Sequence, residues 1–255
     1  GIEPTLAIVR VGSRPDDLSY ERTACKRAKA LGLTTRVFEL DEKVSQEKLL
    51  LQIRRINADS SIHGCLVFRP LPSEMEDKLV CDELAMAKDI DGVSTASLGA
   101  VFTDAKEGFA PSTAEACVRA LDFYDIPVEG KHVVVVGRSL VVGKPVAMLL
   151  LRRNASVTIC HSRTEDLPKI MRTADIVICA TGRARAFDAS CFREGQTVLD
   201  VGINFDKDGN LCGDVDYESV EPVVDAITPV PGGLGSVTTS ITMEHTVSAA
   251  EKTIR

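Results

Sequence analysis

The run Thr5-Leu-Ala-Ile-Val-Arg-Val11 is almost continuously apolar and stops at Gly12-Ser13, the pattern of a strand buried on both faces. A helix follows from about Asp16 to Leu31, and Gly32 ends it as a C-cap. Thr35–Leu40 reads as a second strand. Ser45 opens a second helix, although Ser45-Gln46-Glu47-Lys48 is an imperfect capping pattern. Leu49, Leu50, Ile53 and Ile56 lie at helical spacing and predict its buried face. Cys65–Phe68 is a third strand, broken by Pro70-Leu71-Pro72. This alternation predicts a parallel sheet with helices on both faces.

Residues 87–112 are less regular. Thr113 is placed to cap a helix running to about Tyr124, after which the alternation restarts. Strands are expected at His132–Val136, Ser156–Cys160, Ile176–Ala180, Thr197–Asp200 and about Ala226–Thr228, and one closing helix from Ile241. The chain therefore reads as two α/β domains. Residues 1–112, with the closing helix 241–255, form the first, and 113–240 form a second, Rossmann-like doubly wound parallel sheet. A ligand cleft is expected between them, outside the carboxyl ends of the strands.

Charge and composition narrow the classes. A net charge of -7 argues against a nucleic-acid partner. The chain has no apolar run long enough to span a membrane, and Gly1-Ile-Glu-Pro4 lacks the features of a secretory signal. The cysteines at 25, 65, 81, 117, 160, 179, 191 and 212 form no CxxC pair, and no His stands at metal-ligand spacing from them. They read as reduced, mostly buried thiols of a cytoplasmic protein, with no metal site.

The most informative segment is Val136-Gly-Arg-Ser-Leu-Val-Val-Gly-Lys-Pro145, which joins an apolar strand to a helix. Glycine lets backbone approach a pyrophosphate, and a helix N-terminus offers N–H groups to it. Pro145 suits a first helical turn. The glycine spacing is G-x5-G rather than the common dinucleotide fingerprint, so a strand-turn-helix without a ligand stays open. Arg138 favours phosphate, because guanidinium pairs with it in bidentate fashion. The next strand ends in Ser162-Arg163, where an acid would favour NAD; a hydroxyl and a cation lean toward the 2′-phosphate of NADP. Arg163 as a solvated surface residue is the competing reading.

Together with Lys88-Asp-Ile-Asp-Gly92, Asp200-Val-Gly-Ile-Asn204, Thr228-Pro-Val-Pro-Gly-Gly-Leu-Gly235, and Leu66-Val67 followed by Pro70-Leu71-Pro72, this segment resembles the methylenetetrahydrofolate dehydrogenase/cyclohydrolase family across essentially the whole chain. The resemblance implies NAD(P)-dependent oxidation of 5,10-methylenetetrahydrofolate, followed in bifunctional members by hydrolysis of the methenyl cation. It also implies a homodimer, and a family start that lies before this chain's first strand. Tyr20, Val67, Asp91, Pro231, Gly232 and Gly233 are the implied folate contacts, with Tyr20 and Asp91 also catalytic. Gly137, Arg138, Ser139, Val142, Gly143, Pro145, Ser162, Arg163 and Ile203 are the implied dinucleotide contacts. Taken alone, Asp91-Gly92 is an ordinary turn and the Pro231-Gly232-Gly233 stretch a rigid loop.

Two departures stand out. The family's bifunctional members carry Tyr-x-x-x-Lys in the first helix, and the counted lysine position is Ala24 here. The family's Val-Gln-Leu-Pro block reads Val67-Phe68-Arg69-Pro70, which replaces a glutamine that orients the lysine. Lys26 is the candidate substitute, but six residues along a helix place it about 120° from Tyr20. Arg69 is expected to face away from Phe68 by strand alternation. The expectation is a dehydrogenase with weak or lost cyclohydrolase. Its rivals are a bifunctional enzyme using Lys26, a shikimate-type dehydrogenase, for which no lysine–aspartate pair is found, and a dinucleotide-binding module without turnover.

Overall fold

A computed structural model describes residues 1–254, which divide into two compact units: residues 1–112 with 239–254, and residues 113–238.

In the first unit, β1 (Thr5–Val11) is buried along its whole length. It lies between β2 (Thr34–Leu40) and β3 (Gly64–Val67), parallel to both, in the order β2-β1-β3. Alternate residues of β1 face opposite layers. Ala7, Val9 and Val11 pack with Leu49, Ile53 and Ile56, while Leu6 and Ile8 pack with Ala24, Ala28, Met243 and Ala249. The first group belongs to α2 (Gln46–Ala58). The second comes from α1 (Pro15–Ala30) and the C-terminal helix, so helices cover both faces.

Local signals place the helix ends. Pro15 opens α1, and Gly32, at φ +78°, closes it. Leu33 N–H donates to the Ala28 carbonyl at 2.9 Å and Gly32 N–H to that of Lys29 at 3.2 Å, the paired bonds of a Schellman stop. Ser45 Oγ accepts from Lys48 N–H at the start of α2, and Leu49, Ile53 and Ile56 are fully buried. Arg10, the one charge inside β1, is matched by Glu21 at 2.8 Å and Glu39 at 3.1 Å.

The irregular stretch of the sequence contains a helix. After α3 (Asp77–Glu83), α4 (Thr95–Thr103) begins at Ser94, whose hydroxyl accepts from Ser97 N–H. Nine residues are too few for a helical periodicity to stand out. Asp89 organises this entry. It is fully buried and accepts from Val93 N–H, Ser94 N–H and Ser97 Oγ at 2.6–3.0 Å.

The second unit begins with α5 (Ser112–Phe123), one residue ahead of the expected cap at Thr113. Its elements are then β4 (His132–Val136), α6 (Gly143–Leu151), β5 (Ser156–Cys160), α7 (Leu167–Met171), β6 (Ile176–Cys179) and β7 (Thr197–Asp200). A short hairpin of β8 (Asn204–Phe205) and β9 (Leu211–Cys212), α8 (Tyr217–Val220) and β10 (Ala226–Ile227) complete it. The five-stranded sheet is parallel, in the order β10-β7-β6-β4-β5. Counted from β4, that is the doubly wound order 2-1-3-4-5, whose direction of winding reverses between β4 and β6.

The C-terminal helix, Leu234–Lys252, starts seven residues before the expected Ile241. All eight cysteines are free and seven are buried. Among the described residues, no helix is long and apolar enough to cross a membrane.

Candidate active site

In the first unit the site grows from the end of β3. Cys65 is bridged in parallel to Asp89, and its N–H donates to the Lys88 carbonyl at 2.8 Å. The chain then turns, with Gly92 N–H donating to the Asp89 carbonyl at 3.1 Å, and Asp91 lies in that turn. The neighbours of Asp91 in Lys88-Asp-Ile-Asp-Gly92 are structural. Lys88 Nζ donates to the Ile56 and Asp59 carbonyls at the end of α2, and Ile90 is core. Gly92 sits at φ +62°, where a Cβ would lie 2.5 Å from Pro111 N. Asp91 is the run's candidate for chemistry.

Burial raises the Asp91 carboxyl above the usual range, and Asp89 adds to this. Arg69, a hydrogen bond from Ser112 and His245 pull it back. Burial also pushes the Tyr20 hydroxyl up to about 12, with the charge of Asp91 adding to the effect. Thr239 hydrogen-bonds that hydroxyl, while the Tyr20 ring stays 38% exposed. Tyr20 and Asp91 thus act on each other, as one site requires.

On the Phe68 side of Tyr20 the surroundings are apolar. The Phe68 ring lies 5.3 Å from the Tyr20 ring, and Phe68 and Ala24 join the buried cluster with Leu6 and Ile8. Lys26 is not gathered in. It is exposed, and the groups acting on Tyr20 and Asp91 are other residues. The helical geometry accounts for this, since Ala24 and Ala28 mark the inward face of α1 and Lys26 lies halfway between them. Arg69 follows the end of β3, half-buried, and its charge acts on both Asp91 and Cys81 of α3.

In the second unit the turn after β4 is built around two glycines. Gly137, at φ +142°, is so close to β6 that a Cβ would stand 2.3 Å from the Ala180 carbonyl oxygen. A Cβ on Gly143 would stand 2.2 Å from the Gly137 oxygen. The turn therefore sits where the sheet's winding reverses, the position for a ligand in such sheets.

One expectation changes here. Ser139 Oγ accepts from Val142 N–H at 3.1 Å and Gly143 N–H at 3.5 Å, so these first amides of α6 are already engaged. Pro145 is buried in the first turn and Val142 is half-buried. The free donors lie earlier: the N–H groups of Arg138, Ser139, Leu140 and Val141 have no acceptor among the described residues, and all four residues are exposed. Four successive amide donors beside a guanidinium fit a pyrophosphate. Ser162 and Arg163 are exposed in a turn after β5, closed by Thr164 N–H to the His161 carbonyl at 2.9 Å.

The sequence reading missed Asp214. This fully buried carboxylate accepts from Thr181 N–H and Oγ1, Gly182 N–H, Arg183 N–H and Asn204 Nδ2. It thereby ties the loop after β6 to the loop after β7. Asp200 answers it by accepting from Gly202, Asp214 and Val215 N–H at 2.9–3.0 Å, while burial pushes its carboxyl up to about 6. Ile203, 62% exposed, is carried between these anchors. Asp200 N–H also donates to Thr228 Oγ1 at 2.8 Å, bringing in the loop with Pro231, Gly232 and Gly233. In that loop Gly232 has φ +101°, and a Cβ on Gly233 would lie 2.4 Å from the Pro229 oxygen. The only advance signal for Asp214 was the glycine before it.

The sequence matches two family models: tetrahydrofolate dehydrogenase/cyclohydrolase, catalytic domain, over residues 1–91, and its NAD(P)-binding domain over residues 111–254. The chain belongs to the tetrahydrofolate dehydrogenase/cyclohydrolase family. A curated relative, the bifunctional protein FolD of Carboxydothermus hydrogenoformans, is 51% identical over 98% of this chain and 88% of its own length. The crystal structure of the bifunctional FolD enzyme from Campylobacter jejuni superposes with a TM-score of 0.96 at 37% identity, covering 98% of this chain and 89% of that one. A Trypanosoma brucei methylenetetrahydrofolate dehydrogenase-cyclohydrolase, solved with NADP and an inhibitor, gives 0.94 at 32% identity, over 100% of this chain and 89% of that one.

Proposed function

We propose that the chain is an NADP-dependent 5,10-methylenetetrahydrofolate dehydrogenase whose cyclohydrolase step is weak or absent. The observation that carries the second clause is the apolar Ala24–Phe68 surface against Tyr20, where a proton-transferring base is needed. When bound, NADP+ supplies the nicotinamide that takes the hydride from the substrate's methylene carbon. No proton leaves in that step, so it depends on positioning rather than on a base. Asp91, as a carboxylate, accepts from the pterin N–H groups, and Tyr20 offers its ring and a protonated hydroxyl. The amides of Arg138–Val141 and the Arg138 guanidinium hold the pyrophosphate, and Ser162 and Arg163 favour a 2′-phosphate.

Hydrolysis of the methenyl product needs water activated beside a cationic carbon. Alanine and phenylalanine exchange no protons, and Lys26 faces solvent. The relatives' name, bifunctional protein, favours the second reading, in which both reactions occur. One preparation assayed for dehydrogenation with NADP+ and NAD+, and for methenyltetrahydrofolate hydrolysis, separates the two. Hydrolysis well above the buffer rate sinks the first reading, and its loss in Lys26→Ala would establish the second. Free, mostly buried thiols support a reducing compartment such as the cytoplasm. The homodimer implied by the family resemblance is measured by sedimentation.

A further inference from the structure

The C-terminal helix carries an imidazole that its packing alone does not call for. His245 is 5% exposed, on the helix face that also buries Ile241 and Ala249, four residues to either side. An apolar side chain would fill that place without taking a polar ring out of water. The ring instead bonds backbone. Its Nδ1 lies 2.7 Å from the Ile90 carbonyl oxygen, and a carbonyl only accepts, so Nδ1 carries the proton and donates. Ser112 Oγ donates to the same oxygen at 3.3 Å, and Thr242 Oγ1 donates to Ser112 Oγ at 3.3 Å. The ring is itself held. Its centroid lies 4.7 Å from that of Phe109, and Lys252 Nζ, two turns further along the helix, stands 4.5 Å from the centre of the same Phe109 ring.

The Ile90 carbonyl belongs to the peptide that joins Ile90 to Asp91. That unit is planar, so fixing its oxygen fixes the plane from which the Asp91 side chain departs. On the far side of Asp91, Gly92 N–H is bonded to the Asp89 carbonyl at 3.1 Å. Gly92 also packs so closely that a Cβ would lie 2.6 Å from the Phe109 oxygen. Asp91 therefore stands between two fixed peptides, one held by its own turn and the other by His245 and Ser112.

Resting on the functional reading above, we propose that His245 is a positioning residue for the folate, its Nδ1–H holding the Ile90–Asp91 peptide so that the Asp91 carboxylate meets the pterin N–H groups. A carboxylate accepting from two neighbouring N–H groups must bring both oxygens to the edge of the ring. The short aspartate stem has only two torsions for this, so the rest of the aim comes from the backbone. Without the His245 bond the peptide can rock about its axis and carry the carboxylate off that edge. The imidazole exchanges no proton with a carbonyl, so its effect falls on binding of the folate rather than on the hydride step. The dinucleotide turn belongs to the other unit, and NADP+ binding serves as the internal control.

Two variants of the intact enzyme separate the hydrogen bond from the packing. His245→Phe keeps a ring against Phe109 and removes the donor, whereas His245→Asn removes the ring and keeps an N–H where Nδ1 stood. His245→Phe is expected to raise the KM for methylenetetrahydrofolate, and the calorimetric Kd for tetrahydrofolate, about tenfold, the loss of one hydrogen bond to a buried acceptor. Its kcat stays within about twofold and its KM for NADP+ is unchanged. His245→Asn restores most of the folate KM even where it melts at a lower temperature. A histidine that serves packing alone gives the reverse, with Asn impaired and Phe like the wild type. That reverse pattern overturns the assignment, as does an unchanged folate KM in both variants or a parallel rise in the KM for NADP+. Nitrogen NMR of labelled histidine in the wild type reads the bond without a substitution, so a variant that fails to fold leaves the test intact. A His245 proton on Nδ1 that shifts when tetrahydrofolate binds supports the assignment, and a ring protonated on Nε2 alone overturns it. A wild type that binds NADP+ yet neither binds tetrahydrofolate nor reduces NADP+ with the folate overturns the functional reading and this assignment together.

Discussion

Installing a lysine at position 24 with a glutamine at 68 tests the proposal that the second reaction is weak for want of one proton-transfer group. Ala24 is 1% exposed, one helical turn beyond Tyr20, at about 6 Å of rise and 40° of rotation. A lysine stem therefore starts on the Tyr20 side of α1 and runs past the Phe68 ring. In Ala24→Lys alone the ammonium meets apolar neighbours without a partner, which costs several kcal/mol or forces the amine neutral. In Phe68→Gln alone a buried ring is lost, at a cost bounded by the about 3–5 kcal/mol of a Phe→Ala change.

Together the two substitutions relieve each other, because the glutamine amide oxygen accepts from the lysine. The double variant should be more stable than the sum of the singles by about 1 kcal/mol or more. Desolvation lowers the new lysine's pKa toward neutrality, and the Asp91 charge opposes it. A base so placed contributes about 100- to 10,000-fold. Stopped assays of methenyl absorbance, corrected for buffer hydrolysis, read the rate, and thermal unfolding reads the coupling. The reasoning fails if the double variant folds, keeps wild-type dehydrogenation and still hydrolyses methenyltetrahydrofolate no faster than the parent.

Three further outcomes are expected. With its hydroxyl pushed up to about 12, Tyr20 stays protonated through any working pH, so Tyr20→Phe should leave the alkaline limb of the dehydrogenase profile in place; a lost limb would make the phenol an acid or base. Asp214→Ala strands the donors of Thr181, Gly182, Arg183 and Asn204, so unfolding should become easier by at least about 3 kcal/mol and the KM for NADP+ should rise; a wild-type melting temperature contradicts the role given to this carboxylate. Arg163→Asp places an acid where we propose that a 2′-phosphate is read and should shift the ratio of kcat/KM values from NADP+ toward NAD+ by about tenfold or more, whereas an unchanged ratio assigns Arg163 to solvent.

Much of the architecture was legible because its causes are local. Gly32 ends α1 through its own positive φ, Ser45 caps α2 with its own hydroxyl, and β1 advertises burial on both faces by its composition. The dinucleotide turn was legible for the same reason, since its glycines and strand lie within ten residues. The start of the last helix was not. Gly235 and the run Ser236-Val-Thr-Thr-Ser240 are poor helix formers, and the helix there draws on burial of Thr239, Thr242 and Thr246. Ser139 keeps its amide open while its hydroxyl accepts from Val142 and Gly143, a division of labour visible only once the turn is folded.

The same division runs through the active site. Composition and order along the chain determined the two α/β units, the family, and the replacement of a lysine by Ala24, because each of these is written in residue identity. Tertiary structure decided which charges meet. Asp214 gathers donors from as many as 33 residues away, and Asp91 and Tyr20 act on each other across the unit. Electrostatic and hydrogen-bond partners are chosen by distance in space, and a sequence records only distance along the chain.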